Sequence, residues 1–155
     1  MEQQDNLFDA SKLQMVEVKY MLGQIEVPEE FDEDFIVNFE TESSLNVGFN
    51  LETNQAKADY MLKMKTKSKA DNKTEASGNF HFVFFYKISN LSELTNLHED
   101  DTLNIDVNLA NALSAISYST SRGILLTRLQ GSAFSKFILP IIDPTSLLGQ
   151  AMNNS

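Results

Sequence analysis

The chain has 155 residues, of which 42% are hydrophobic and 22% charged, a balance that fits one globular domain with a single core. A formal net charge of −10 argues against a nucleic-acid partner, because binding to phosphates depends on lysine and arginine. The chain contains no cysteine, which excludes a disulfide framework and a thiolate zinc site. We expect one domain over residues 1–155, with flexible ends at 1–10 and 150–155.

The first residues carry neither the basic start nor the apolar stretch of a secretory signal peptide. No apolar run reaches the roughly 18 residues that a membrane-spanning helix needs. We therefore expect a cytoplasmic protein that does not insert stably into a membrane.

Alternating apolar and polar residues predict strands throughout the first half of the chain. The first strand ends before Pro28, and an acidic loop follows at 29–34. A second run at 35–51 is either one long strand or two short ones. The predicted apolar face of the first strand consists of Val16, Val18, Tyr20 and Leu22.

The third run, at 56–67, alternates most regularly and predicts a strand with one face on a core and one face in water. Lysines from Lys57 onward line its polar face; they could bind an acidic partner, but a solvated face that protects an edge strand is the simpler interpretation. A polar, turn-rich stretch at 69–78 predicts a mobile hairpin loop. The apolar face of the third strand consists of Ala56, Ala58, Tyr60, Leu62 and Met64.

The fourth run is apolar on both faces. Residues from Phe80 to Ile88 alternate on one face, while Val83 and Phe85 lie on the other. A strand of this kind is an aggregation hazard when one face stays uncovered. A helix layer, a partner subunit or a bound polypeptide must therefore shield the second face.

The second half of the chain predicts helices. A capping pattern at 90–93 indicates a short helix, and apolar residues at helical spacing predict one long helix from about 107 to 130 that ends near Gly131. A short closing helix is expected from Pro144 to about Met152. Strands followed by helices indicate an α+β fold, in which helices pack on an antiparallel sheet. Small residues that would let another helix or sheet approach the long helix include Ala112, Ala115, Ser119 and Gly123.

Little in the sequence points to catalysis, and we expect no catalytic residues, no metal and no cofactor. His81 falls in the fourth strand, where a buried or edge histidine is commoner than a catalytic one. His98 precedes three acidic residues that could bind a hard cation weakly, although a solvated turn is the simpler interpretation. No phosphate-binding loop, nucleophile elbow or paired metal-ligand spacing occurs.

From Tyr118 onward the chain resembles the C-terminal half of the SecB family of protein-export chaperones. The interval from Gly131 to Pro140 agrees with that family, whereas Phe134 follows the glycine by three positions instead of two. The end of the first strand, at 26–28, is similar to the family's first strand and its acidic crossover. The segments that carry the resemblance are Ser121-Arg122, Gly131-Ser132-Ala133-Phe134, Ile138-Leu139-Pro140 and Ile141-Ile142-Asp143.

The resemblance implies a four-stranded antiparallel sheet packed by one long helix and a short C-terminal helix. It also implies a homotetrameric dimer of dimers, in which first strands pair and long helices lie between sheets. Unfolded polypeptide clients would bind in apolar grooves without nucleotide turnover. The residues expected to line the groove are Phe82, Phe84, Tyr118, Phe134, Phe137 and Leu147; those expected at the oligomer interface are Val16, Val18, Tyr20, Ala112, Ala115 and Ser119.

Two features depart from family members that deliver clients to the Sec motor SecA. Glu26 matches one of their partner-binding acids, but the second acid falls near His81 or Phe82. The C-terminal residues 151–155 are neutral where those members have a basic tail. The function predicted from the sequence is an ATP-independent holdase linked to protein export. The alternative is an adaptor or antitoxin-type chaperone dedicated to one partner.

Overall fold

Four long strands form one antiparallel sheet in the computed structural model, which describes residues 7–69 and 74–152, with side chains described up to residue 148. Two short strands and two α-helices follow the sheet in the chain. The strands are β1 (Leu13–Glu26), β2 (Ile36–Asn50), β3 (Gln55–Ser68), β4 (Ser77–Ile88), β5 (Thr95–Leu97) and β6 (Leu103–Ile105); the helices are α1 (Val107–Arg128) and α2 (Thr145–Met152).

The strand order in the large sheet is β1-β4-β3-β2, so β1 and β2 are its two edges. Hairpins join β2 to β3 and β3 to β4, whereas the acidic segment between β1 and β2 crosses from one edge to the other. The second alternating run is therefore one strand of 15 residues. This α+β architecture confirms the fold class predicted from the sequence.

The central strands β3 and β4 supply most of the core. The residues predicted to form the apolar face of β3 are all buried, as are their β4 neighbours from Phe80 to Ile88 on the same face. Tyr60 stacks on Phe82 with ring centroids 6.4 Å apart and meets Tyr118 of α1 edge-on at 5.8 Å. Each fully buried large side chain contributes about 1.5–3 kcal/mol to folding.

Helix α1 begins at a strong N-cap. The Asp106 carboxylate accepts hydrogen bonds from the backbone N–H groups of Asn108 and Leu109, at 2.9 and 3.2 Å. The chain leaves the helix through Gly131, whose φ of +76° suits a residue without a β-carbon. Both limits agree with the long helix predicted from the sequence.

Three serines outside the predicted set of small residues let α1 approach the sheet. Ser114, Ser117 and Ser121 are completely buried. Ser117 shares a 2.7 Å hydrogen bond with the hydroxyl of Tyr86 in β4. Ser114 and Ser121 instead donate to backbone carbonyls one turn earlier in the helix, which satisfies their hydroxyls.

A β-bulge changes the predicted face of the first strand. Tyr20 lies opposite Phe82, but the register shifts there and Leu22 lies opposite His81. Because facing residues of an antiparallel pair share a face, Leu22 joins the outer face while Val18 and Tyr20 stay on the inner one. The prediction that Leu22 shares a face with them was wrong, since simple alternation cannot anticipate an extra residue.

The segment before α1 also differs from the expectation. The short helix predicted at 90–93 is a 3-10 helix at Leu91–Leu94, and a hairpin that was not predicted, β5–β6, follows it. Three-residue strands lack a detectable alternation. The acidic stretch at 99–102 forms the turn of this hairpin, with Asp101 at a positive φ of 63°.

The second face of β4 is partly covered within the sheet, and Phe85 on this face stays half-buried. Val83 is only 3% exposed although it lies on the outer face. The ammonium group of Lys19 lies 5.3 Å from the ring centroid of Phe85, so a long side chain from β1 shelters that ring. Within a single chain, a side chain of the neighbouring strand β1 shelters this face, and a helix layer does not.

The expected flexible ends and the 69–78 loop fall partly outside the described residues. Residues 1–6, 70–73 and 153–155 lie outside the described residues. Within the described part, Phe8 packs against the core. Glu75 accepts hydrogen bonds from Thr66 and Ser68 at 2.6–3.2 Å, which ties the end of the β3–β4 connection to β3.

Candidate polypeptide-binding surface

The segment after α1 is fastened to the helix by two side chains. The Tyr118 hydroxyl donates to the carbonyl oxygen of Pro140 at 2.7 Å. The Arg122 guanidinium donates to the carbonyls of Leu139 and Pro140 at 3.1 and 3.3 Å, and lies 5.3 Å from the Tyr118 ring centroid. Burial raises the pKa of Tyr118, so its hydroxyl stays protonated and able to donate near neutral pH.

The loop between Gly131 and Leu139 closes one end of the core with aromatic rings. Phe134 is completely buried, and its ring centroid lies 5.9 Å from that of Phe39 in β2. Phe137 is half-buried and contacts the same ring edge-on at 5.6 Å. In the extended segment that follows, Ile138 and Ile141 are 60% and 92% exposed, whereas Leu139 between them is buried.

A cavity of about 310 Å³, here called the hairpin cavity, lies where the end of β2, the β5–β6 hairpin and both helices meet. Its walls are mainly apolar, and exposed residues such as Asn46 and Gly48 mark its opening to solvent. One charged residue, Asp101, lies among its described lining residues. The lining residues are Asn46, Val47, Gly48, Phe49, Asp101, Thr102, Leu103, Ile105, Ala110, Leu113 and Leu148.

A second cavity of about 300 Å³, here called the crossover cavity, lies between the start of β2 and the loop after α1. Glu33, Asp34 and Lys136 make its lining more polar than that of the hairpin cavity. The remaining lining residues are Ile36, Val37, Asn38, Phe39, Ala133 and Ser135.

A further apolar surface is formed by the free edge of β1 and by the side of α1 that faces outward. Helix α1 contains no acidic residue, although the chain as a whole carries a net charge of −10. Ala115 and Ser119 are exposed on that side, and Ile116 is 38% exposed. Ile116 and Leu126, the latter 41% exposed, make this side of the helix partly apolar.

Four of the six residues predicted to line the groove are core residues in this conformation. Phe82, Phe84 and Phe134 have no exposed surface, and Tyr118 is 2% exposed. Phe137 and Leu147 are half-buried at the edge of the same core. In this conformation only these last two could touch a polypeptide without a rearrangement.

The residues predicted for the oligomer interface are accessible, with one partial exception. Val16, Val18 and Tyr20 on β1 are 48%, 42% and 41% exposed. Ala115 and Ser119 on α1 are exposed, whereas Ala112 is half-buried.

The outer face of the sheet carries the predicted partner residue. Glu26 is exposed at the end of β1, opposite Ser77. His81 lies in the middle of this face, and its Nε2 is 2.8 Å from a carboxylate oxygen of Asp59 on β3. The acid nearest the middle of β4 is therefore on the neighbouring strand, which spacing along one strand could not reveal.

Three residues that shape these surfaces, Gly23, Arg128 and Asp101, were not predicted from the sequence to do so. Gly23 leaves room for the ring of Tyr20, which would overlap any β-carbon at that position. Tyr20 then packs between Phe82, at 5.3 Å between centroids, and the guanidinium of Arg128, at 4.7 Å from the ring centroid. Asp101 was noted only as part of an acidic turn. A glycine within an alternating strand was the one available signal.

The described part of the chain offers neither a membrane-spanning helix nor a cluster of metal ligands. Across residues 7–69 and 74–152, no helix is long and apolar enough to cross a membrane. The same residues contain no group of three or more histidine, aspartate or glutamate side chains that could hold a metal ion.

Comparison with known proteins identifies a similar fold. No protein-family model and no curated protein matches this sequence. A structure of the Mycobacterium tuberculosis SecB-like chaperone Rv1957, in complex with a ChAD peptide from the HigA1 antitoxin, superposes with a TM-score of 0.61 at 14% identity; the match covers 86% of this chain and 92% of that one. A protein of unknown function from Streptococcus agalactiae covers 83% of this chain and 97% of that one at 14% identity, but its TM-score of 0.30 supports no inference.

The similarity extends over nearly the whole of both chains in the first case, and the order of strands and helices is the one that the sequence resemblance implied. The chain therefore has the SecB-like fold.

Proposed function

We propose that this protein is a cytoplasmic, ATP-independent holdase that binds unfolded polypeptides on apolar surfaces. The observation that carries the proposal is the amount of apolar surface that the SecB-like fold leaves uncovered. Exposed apolar side chains cluster on β1, on the outward side of α1 and in the extended segment around Ile141. Monomeric proteins rarely leave contiguous apolar surface of this kind without a partner to cover it.

The similar chaperone of Mycobacterium tuberculosis binds a peptide, which supports a polypeptide as the ligand here. Aromatic side chains at the edge of the core suit such a ligand, because they offer a large contact area without demanding one shape. Phe137 and Leu147 are the half-buried residues of the predicted groove, which supports a role for them in contacts with a client.

We also propose that the protein acts as a homo-oligomer, a dimer of dimers, through β1 and α1. Strand β1 has 14 residues and pairs only with β4, so its other edge has unpaired backbone groups within the described sheet. A second copy would pair with this edge and cover Val16 and Val18 together with the outward side of α1.

A dedicated chaperone for one partner is the second candidate. It is favoured by the bound antitoxin peptide in the similar structure. Delivery to the Sec motor is less well supported, because β4 has no acid on its outer face and His81 takes that place. A link to protein export therefore rests on the family resemblance.

Suppression of aggregation distinguishes the two candidates. The protein would be mixed at equal concentration with several unrelated, chemically unfolded proteins, and light scattering would follow their aggregation on dilution. A holdase suppresses aggregation of all of them and forms complexes of larger solution mass. Suppression of none, with a monomeric mass that the unfolded proteins do not change, would contradict the holdase proposal.

Two single variants test whether the aromatic edge contacts clients. Phe137→Ser should reduce suppression several-fold with little change in melting temperature, because its ring is half-buried. Phe134→Ser should lower the free energy of unfolding by about 3 kcal/mol or more, since it removes a fully buried ring. If Phe137→Ser left suppression unchanged in a folded protein, the client would bind elsewhere.

A further inference from the structure

We propose that residues 7–12, here called the N-terminal strap, occupy a polypeptide-binding site after β4 and are displaced from it by an extended segment of a client. The strap is then a competitor within the chain, which restrains this site until a client replaces it. The inference rests on the proposed holdase function and adds a regulated site to it. The site consists of Ser89, Asn90 and the part of the core beneath Phe8.

Two backbone carbonyl groups fasten the strap to the loop that follows β4. The carbonyl oxygen of Leu7 accepts a hydrogen bond from Nδ2 of Asn90 at 3.1 Å. The carbonyl oxygen of Lys12 accepts one from the backbone N–H of Ser89, also at 3.1 Å. Phe8 lies between these two residues in the chain, is half-buried and packs against the core. Backbone hydrogen bonds and an anchoring side chain are the contacts by which proteins hold extended polypeptides.

The Asn90 side chain shows that the strap fits this site incompletely. Asn90 is only 8% exposed, and its Nδ2 donates to the carbonyl oxygen of Leu7 and, at 3.3 Å, to Oε2 of Glu93. Its Oδ1 is buried and has no hydrogen-bond partner among the described residues. A buried acceptor without a donor costs free energy. A client segment that donates an N–H group to Oδ1 and accepts from Nδ2 therefore binds more tightly than the strap.

The strap can leave the site without disturbing the sheet. Phe8 is half-buried, and the other strap residues are exposed. The hydrogen bonds within the strap are local, because the Asp9 carboxylate accepts from the backbone N–H and the hydroxyl of Ser11, at 2.9 and 2.7 Å. These bonds move with the strap, whereas β1, which follows it, is paired with β4 from Leu13 onward. A segment with so few buried contacts opens at a low cost in free energy.

Two variants separate the strap from the site that it occupies. Phe8→Ser removes the one half-buried side chain of the strap and leaves Ser89 and Asn90 unchanged. Asn90→Leu replaces the amide with a branched hydrocarbon side chain and removes its hydrogen bonds. Leu7→Ser is the matched control for Phe8→Ser, because it also removes an apolar side chain from the strap, but one that is 52% exposed.

The ligand is a labelled, end-capped peptide with the sequence of residues 7–13, and fluorescence anisotropy measures its Kd for the full-length protein. The apparent affinity of the wild type is reduced in proportion to the fraction of molecules in which the site is free. Phe8→Ser should therefore bind the peptide about tenfold more tightly than the wild type, and Leu7→Ser should bind it as the wild type does. Adding Asn90→Leu to Phe8→Ser should weaken binding about tenfold. Phe8→Leu keeps a smaller apolar anchor and should give a smaller gain than Phe8→Ser, which tests the same idea if Phe8→Ser lowers the melting temperature.

An unfolded protein links the site to client binding. A reduced and carboxymethylated protein, which stays unfolded without denaturant, is added without a label to the complex of Phe8→Ser with the peptide. It should release the peptide, because both ligands bind the same site.

The outcomes that overturn this inference differ from those that overturn the holdase function. Equal affinities of Phe8→Ser and the wild type for the peptide contradict the strap as a competitor, whether or not the wild type suppresses aggregation. An equal gain in Leu7→Ser, or no loss with Asn90→Leu, contradicts a site at Asn90. A peptide that the unfolded protein does not release contradicts the use of this site by clients. A wild type that suppresses no aggregation, together with tighter peptide binding by Phe8→Ser alone, overturns the holdase function but supports the strap as the occupant of the site.

Discussion

At the scale of single residues, two buried tyrosine hydroxyls are each paired with one serine hydroxyl. Tyr86 and Ser117 share a hydrogen bond between β4 and α1, and Tyr60 and Ser43 share one between β3 and β2, each 2.7 Å long. Such pairs stabilise little on balance, but leaving one partner alone in an apolar core is expensive. They therefore fix which side chains face each other.

Removing one partner of the Tyr86–Ser117 pair should destabilise the protein more than removing both. Ser117→Ala leaves the Tyr86 hydroxyl buried without its partner and should lower the free energy of unfolding by about 1–3 kcal/mol. The double variant with Tyr86→Phe should recover part of that loss. Urea unfolding of the wild type, both single variants and the double variant measures the coupling. Strict additivity would mean that the hydrogen bond does not couple the strand to the helix.

Buried tyrosines should make the fold sensitive to alkaline pH. Burial raises the pKa of both Tyr60 and Tyr86 above the ordinary value of about 10. Below that pH the hydroxyls are protonated in both states and stability does not change on their account. Above it the unfolded chain releases protons that the folded chain retains, so stability falls by up to about 1.4 kcal/mol per pH unit for each tyrosine.

Urea midpoints at pH 9, 10 and 11 test this dependence. The decline above pH 10 should be shallower in Tyr60→Phe than in the wild type, whatever the variant's stability at pH 9. The same slope in both proteins would show that Tyr60 ionises as readily in the folded chain as in the unfolded one.

At the scale of elements, the C-terminal segment depends on α1 for its position. Residues 138–144 have no regular secondary structure, and the carbonyls of Leu139 and Pro140 are held by Tyr118 and Arg122. The same segment leads into α2, which packs against β2. Arg122 and Tyr118 thus fix the position of the segment that covers this end of the core.

Arg122→Ala should loosen that segment without unfolding the sheet. Charge-assisted hydrogen bonds contribute about 1.5–3 kcal/mol each, and partial exposure reduces the effect here. Amide hydrogen exchange over residues 138–148 should accelerate roughly 5- to 50-fold, while amides of β3 and β4 keep their rates. Arg128→Ala, on the same helix but stacked on Tyr20, is the matched control. Equal acceleration in the control, or none in either variant, would contradict the role of Arg122.

At the scale of the whole molecule, the charged and apolar surfaces are separated. Acidic residues concentrate in the crossover between β1 and β2 and in the hairpin turn, while β1 and the outward side of α1 expose apolar side chains. The oligomer proposed above, formed through β1 and α1, would cover the apolar surface and leave the acidic surface in water.

Val18→Glu should convert the proposed oligomer to smaller species. The side chain is 42% exposed on the inner face of β1, so a glutamate fits the monomer but would be buried between two copies. Val37→Glu on β2, where valine is 58% exposed, is the control and should leave the mass unchanged. Light scattering after size exclusion measures both. A wild type that is monomeric, or a Val18→Glu protein with wild-type mass, would place the interface elsewhere or exclude it.

The sequence by itself determined the fold class, the faces of β3 and β4, the limits of α1 and the order of the four long strands and the two α-helices. These features follow from local rules: alternation with period two, helical spacing, an N-cap aspartate and a glycine at positive φ. Each of these rules involves residues that are close together in the sequence. The resemblance of the C-terminal segment to the SecB family likewise depends on residues that are close together in the sequence.

Only the tertiary structure decided which aromatic residues are core and which are accessible. Phe134 and Phe137 are three residues apart and look alike in sequence, yet Phe134 is completely buried against Phe39 and Phe137 is half-buried. The same holds for the bulge that turns Leu22 outward, the serines that face the sheet and the hairpin that builds a cavity around Asp101. Burial and cavities arise from contacts between distant segments, and a local pattern carries no information about those contacts.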